Sequence, residues 1–165
     1  MTRSNRRTAS PVHWLAGSLA AVLIASASGV LWARSASSAV VVYKTPTCGC
    51  CTLWVDHLRA NGFEVEVHDV PDTTPVRRRE GVPARLGSCH TAKVGGYVIE
   101  GHVPAAEIHR LLRERPRLDG LAVPGMPIGS PGMEMGSRQD TYDVLAFNGA
   151  GETLVFARYP KETSR

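Results

Sequence analysis

The chain has 165 residues and a formal charge of +4, from 19 Lys and Arg against 15 Asp and Glu. Four of the basic residues, Arg3, Arg6, Arg7 and Arg34, lie in the first 39 positions without any acid, so residues 40–165 carry no net charge and lack the positive face that nucleic-acid binding needs. At 43% hydrophobic and 21% charged the composition excludes a disordered or fibrous chain, and the length beyond residue 39 suits one domain.

Arg3, Arg6 and Arg7 precede an uncharged apolar stretch from Trp14 to Ile24 and then Ala25-Ser26-Ala27. Basic segment, apolar segment and small residues in that order predict a bacterial-type export signal. Cleavage is expected after Ala27, with Ala39 as second choice, so residues 1–39 are read as signal peptide and short linker and residues 40–165 as a single domain. The alternative is an uncleaved anchor, because Trp14 to Ala33 has the length of a spanning helix. Its interspersed Gly and Ser weigh against that. Arg6-Arg7 is followed by Thr8-Ala9-Ser10 rather than an apolar pair, which does not fit a twin-arginine signal. The domain is therefore expected in the periplasm, or anchored in the inner membrane and facing the periplasm if the signal is retained. In either place thiols can be oxidised.

Val40-Val41-Val42-Tyr43 reads as a buried strand ended by Thr45-Pro46-Thr47, and Leu53, Trp54, Val55 and Leu58 recur at helical spacing up to Asn61-Gly62. Phe63, Val65 and Val67 alternate with Glu64, Glu66 and His68, the period of a half-exposed strand. A loop with Pro71, Pro75 and Arg77-Arg78-Arg79 follows, and the arginines are read as an exposed helix face. Thr91 to Val94 and Tyr97 to Glu100, joined by Gly95-Gly96, predict a hairpin. Pro104 suits the first turn of a helix whose apolar stripe is Ile108, Leu111 and Leu112. The class is α/β and the order β-α-β-β-α, that of a thioredoxin-like core. Residues 117–139, rich in Gly and Pro and holding Met126, Met133 and Met135, predict a long loop without regular structure. Tyr142 to Phe147 and Thr153 to Tyr159, around Asn148-Gly149-Ala150-Gly151, predict a C-terminal β-hairpin.

Cys48-Gly49-Cys50-Cys51 places a C-x-x-C pair at the junction of the first strand and helix. Helix N-terminal amides favour thiolate over thiol, so such a cysteine is both nucleophile and metal ligand. One reading is a thiol-disulfide oxidoreductase with Cys48 as catalytic nucleophile and Cys51 as resolver. Cys50 complicates it, because a third thiol beside Cys51 competes in the exchange. Three thiolates within one turn suit a soft metal better, and a structural zinc site lacks its usual second C-x-x-C or His pair. Cys89 and His90 precede the third strand, on a loop that passes the N-terminus of the first helix in a thioredoxin-like core. Cys89, His90 and the loop methionines Met126, Met133 and Met135 would together offer thiolate, imidazole and thioether, a set that selects Cu(I). Methionines are more often core filler, yet three of the chain's four lie in this one loop. His102 sits at a strand-to-helix turn; His57, His68 and His109 are read as solvated.

Cys48-Gly49-Cys50-Cys51, Ser88-Cys89-His90-Thr91-Ala92, the segment from Gly96 to Pro104 and the segment from Gly120 to Pro127 together resemble the CopG-type family of exported bacterial copper-resistance proteins. The resemblance runs from about Val40 to Met135 through four motifs in order. It implies a thioredoxin-like fold holding more than one copper ion through Cys48, Cys50, Cys51, Cys89, His90, His102, Met126, Met133 and Met135. It leaves open whether the site cycles copper between Cu(I) and Cu(II), as a copper oxidoreductase would, or acts as a chaperone or sequestering module. The implied partners are copper ions and other periplasmic copper-handling proteins, with a membrane only if the N-terminal segment is uncleaved.

Overall fold

The structure, a computed structural model, describes residues 39–161. The expected signal segment and its Ala27 cleavage point lie outside the described residues. Seven strands form one sheet in the order β2-β1-β3-β4-β5-β6-β7. The elements run β1 (Val40–Lys44), α1 (Gly49–Ala60), β2 (Val65–Asp69), α2 (Thr74–Arg79), a 3₁₀ turn (Ala84–Leu86), β3 (His90–Val94), β4 (Tyr97–Glu100), α3 (Ala105–Glu114), β5 (Gly120–Ala122), β6 (Tyr142–Phe147) and β7 (Thr153–Tyr159). β1 and β2 are parallel, as are β4 and β5, while β3 is antiparallel to both β1 and β4, a mixed α/β arrangement consistent with the thioredoxin-like core that the sequence predicts.

Alternation along the strands assigns the two faces. Val40, Val42, Ala92, Val94, Tyr97, Ile99, Leu121 and Val144 pack with Trp54 and Leu58 of α1 and Ile108 and Leu111 of α3. Val98, Ala122 and Phe147 point the other way, onto Val82 and Leu86. Glu100 is two residues from Val98 and so shares this second face. All four residues of β4 are buried, and Glu100 has no exposure at all.

Four expectations need correction. The segment with Pro75 and Arg77-Arg78-Arg79 is not a loop, since Thr74–Arg79 forms α2 with Pro75 at its start, so the arginines do lie on a helix. Nor is the whole run an exposed face: Arg77 is mostly buried, with its Nε 2.6 Å from Glu100 Oε1, because a buried carboxylate needs a cation beside it. Residues 117–139 do contain regular structure, because Gly120–Ala122 pairs in parallel with β4 and antiparallel with β6. There Gly120 is required by close approach: a Cβ would lie 2.0 Å from the Val98 carbonyl oxygen. His57 is not solvated either, since its Nε2 accepts the Ala105 amide at 3.1 Å and supplies the cap that Pro104 cannot give to α3. His109 stacks on Phe63, and His68 stacks on Tyr43 and pairs with Glu66. The closing hairpin has the bounds that the sequence predicts. Among the described residues no helix is long and apolar enough to cross a membrane.

Candidate metal centre

Thr45-Pro46-Thr47 ends β1 and turns the chain so that Cys48 becomes the N-cap of α1 in extended conformation. No side chain caps this helix and its first turn holds no acid. Its free amides and positive dipole end therefore face the sulfurs of its own first turn, a setting that favours negative sulfur. Cys48 and Cys51 form a disulfide, with Cα atoms 5.4 Å apart. Cys50 and Cys89 are free thiols. Cys50 Sγ lies 3.5 Å from Cys48 Sγ, and Cys51 Sγ lies 3.8 Å from the Cys89 carbonyl oxygen. The ligand atoms of Cys48, Cys50, Cys51 and Cys89 all lie within 4.8 Å of one another.

Cys89 also belongs to a second group, with His90 and His102, within the same 4.8 Å limit. Its Sγ lies 3.0 Å from His102 Nε2 and 3.3 Å from His90 Nδ1. A carbonyl oxygen can only accept, so the 2.8 Å contact to Pro131 O makes His102 Nδ1 the protonated nitrogen. That tautomer turns a bare Nε2 lone pair toward Cys89, the arrangement a metal-ligating imidazole adopts. His90 is fully buried and packs on Trp54 with ring centroids 4.2 Å apart; its Nε2 has no hydrogen-bond partner. Trp54 in turn donates from Nε1 to Val103 O at 2.9 Å, which fixes the indole. A buried ring nitrogen without a partner costs about 1–3 kcal/mol and calls for a physical reason. Four sulfurs and two imidazoles, one of which also carries an unpartnered ring nitrogen, are a donor set that fits a soft cation such as copper.

The Gly/Pro-rich loop closes over this centre. Gly132, at φ +83°, sits where a Cβ would be 2.7 Å from both the Cys50 carbonyl oxygen and the Trp54 amide. Gly132→Ala is expected to destabilise the fold by about 1–3 kcal/mol, because it combines left-handed strain with a backbone clash. Chemical denaturation checks it, and an unchanged midpoint would contradict the close docking of the loop. Gly125 is tied to the other side, its amide bonded to Gly87 O and its carbonyl to the Ser88 hydroxyl. Met133, next to Gly132, is half-buried, whereas Met126 and Met135 are 51% and 60% exposed.

The predicted site residues thus divide. Cys48, Cys50, Cys51, Cys89, His90 and His102 converge, while Met126 and Met135 occupy the exposed rim of the loop. Sequence reasoning missed Trp54, Arg77 and Glu100. The first was indistinguishable from a core residue on an apolar stripe, and the other two read as surface charge and strand end.

Burial holds the imidazoles of His90 and His102 below the ordinary histidine range, His90 further lowered by His102, so both are neutral and ready to ligate near pH 7. Burial and the neighbouring Cys50 push the Cys89 thiol up to about 12, so ligation there has to displace a proton. Burial also lowers His57. For all three histidines the folded state binds protons less readily than the unfolded chain, so their stabilising contribution is complete above about pH 6.5 and declines as pH falls below it. The Thr74 amide and Arg158 hold Asp72 and Asp143 below the usual carboxylate range, so those groups act only near pH 4 and lower. Metal-free protein is therefore expected to show a lower urea midpoint at pH 5.5 than at pH 7.5; an equal or higher midpoint at pH 5.5 would contradict the burial of these rings.

A family described as "Protein of unknown function, DUF411" matches residues 86–133, the stretch that carries Cys89, His90, His102, Met126 and Met133. None of the curated proteins matches the chain. Two solved structures do, "Copper resistance protein copG- Form 2" and "Copper resistance protein copG- Form 1". Each is 52% identical, with a TM-score of 0.71 over 75% of this chain, and the match spans 99% and 98% of the respective structures. Identity at that level over essentially the whole of both relatives, with the four-cysteine centre in place, establishes that the chain belongs to the CopG family of copper resistance proteins.

Proposed function

We propose that the protein is an exported copper-binding protein of copper tolerance, with residues 1–39 as signal and linker and residues 40–165 as the metal-binding domain. Its cargo is more than one copper ion, taken by Cys48, Cys50, Cys51 and Cys89 with His90 and His102. The loop methionines Met126, Met133 and Met135 serve as thioether donors or as the contact for a copper-handling partner in the periplasm. The observation that carries this reading is the sharing of Cys89 Sγ between a four-sulfur group and a sulfur-imidazole group. Sulfur stabilises Cu(I) and imidazole makes Cu(II) accessible, so bound copper could be cycled as well as stored. Reduced protein is expected to take Cu(I) from a competing chelator. No uptake under those conditions would end the proposal. Recovery of the metal in the oxidation state in which it was supplied, after transfer to an acceptor, would favour a chaperone or sequestering module over an oxidoreductase.

One observation favours a second reading. Cys48 and Cys51 are joined as a disulfide at the start of α1, the placement of a redox-active pair. A thiol-disulfide oxidoreductase built on that pair would reduce insulin, and the activity would survive Cys50→Ser and replacement of all three loop methionines. In the copper reading those same changes alter metal binding.

A further inference from the structure

We propose that Glu100, held by Arg77, is a positioning residue that fixes Cys89 and His90 in the geometry of the metal centre. The inference deepens the copper-binding reading and rests on it for the identity of the metal. Glu100 Oε1 accepts the Ser88 amide at 2.7 Å and Arg77 Nε at 2.6 Å, while Oε2 accepts the Thr91 hydroxyl at 2.6 Å. Ser88 and Thr91 are the residues on either side of the Cys89-His90 pair, so one carboxylate grips both ends of the dipeptide that supplies a thiol and an imidazole. Arg77 adds a bond from Nη2 to the Ser88 carbonyl and a 3.4 Å bond to the Thr73 hydroxyl. The Gly101 amide donates to His90 O at 3.0 Å and ties the far strand to the same segment.

Stability alone gives little reason for an ion pair here. The adjoining face is apolar, with Val82, Leu86, Val98, Ala122 and Phe147, and well-packed apolar residues often replace a buried pair without loss of stability. What an apolar side chain cannot do is accept from Ser88, Arg77 and Thr91 at once. Glutamine at position 100 would keep the shape, lose the charge that Arg77 needs, and present an amide NH₂ to a set of donors. The Ser88–Thr91 segment would then lose part of its grip, and the 3.0 Å and 3.3 Å approaches of Cys89 Sγ to the two imidazoles would loosen with it.

The test uses the full domain in two states. In the metal-free disulfide form only Cys50 and Cys89 are thiols, so Cys50 serves as an internal reference for the alkylation of Cys89 by iodoacetamide. Glu100→Gln is expected to raise the Cys89-to-Cys50 rate ratio severalfold, since a sulfur released from its packing is more exposed to the reagent and exposure is one condition of thiol reactivity. In the reduced form it is expected to weaken Cu(I) binding by about 10–100-fold, the usual effect of removing an outer support. Arg77→Lys, which keeps the charge but not the fork, should give a smaller change in the same direction and serves if Glu100→Gln does not fold. Glu107→Gln alters another buried carboxylate, whose partners are Tyr159, Lys161 and Arg110, and should leave the ratio unchanged. An unchanged ratio in folded Glu100→Gln, or an equal rise in Glu107→Gln, overturns the positioning role. A ratio that responds in a protein that binds no Cu(I) supports the positioning role and refutes the copper reading instead.

Discussion

Substituting Cys89 by Ser is expected to weaken Cu(I) binding by at least about a hundredfold, roughly 2.7 kcal/mol. Its Sγ is the atom common to both donor groups, so its loss leaves the three sulfurs of α1 on one side and the two imidazoles on the other. A serine hydroxyl is a hard donor and does not replace thiolate for Cu(I). Cys50→Ser removes a sulfur from one group only and should cost less. Cys89 is half-buried and its side chain is nearly matched in size by serine, so the fold should persist; circular dichroism checks that, and a chelator competition at pH 7 measures the affinity. Equal losses from Cys89→Ser and Cys50→Ser would contradict a shared donor.

The second large effect comes from the disulfide. With Cys48 and Cys51 joined, two of the four clustered sulfurs are no longer thiolates, and the centre is reduced to Cys50, Cys89 and the imidazoles. Reduction by a dithiol, which delivers two electrons and two protons to the bridge, is expected to raise Cu(I) affinity by at least about two orders of magnitude. The coupling has to be reciprocal. Bound Cu(I) should therefore protect the pair from reoxidation, read as slower disulfide formation in loaded protein by mass spectrometry. Identical affinity in the oxidised and reduced forms would mean that Cys48 and Cys51 take no part in the site, and would move weight to the thiol-disulfide reading.

Much of this centre is legible in the sequence because it is local. C-x-x-C after a β-branched run marks the helix start, and Ser88-Cys89-His90 leads directly into a strand that Gly95-Gly96 folds back. The closing hairpin is legible for the same reason, with alternating strands and a Gly-rich turn. Features set by distant partners are not. Arg77 is buried because Glu100 of β4, 23 residues on, meets it on one face of the sheet. His57 caps a helix that begins 48 residues later. Strand β5 is three residues long and begins with a glycine that the sequence presents as a breaker, whereas the sheet needs it for the approach of Val98. Cys50 argued against a simple disulfide cycle, yet the spacing of Cys48 and Cys51 on one helical turn still brings those two into bonding range.

In the copper reading, one centre combines the cysteine sulfurs with the two imidazoles around Cys89. X-ray absorption at the copper edge of the reduced protein, loaded with Cu(I) and freed of excess metal, tests it most directly. Sulfur is expected to dominate the atoms bound to copper with nitrogen also present, and the nitrogen contribution is expected to fall in a His90→Ala, His102→Ala double variant. A shell of nitrogen and oxygen alone, or a sulfur shell indifferent to both histidines, would contradict it.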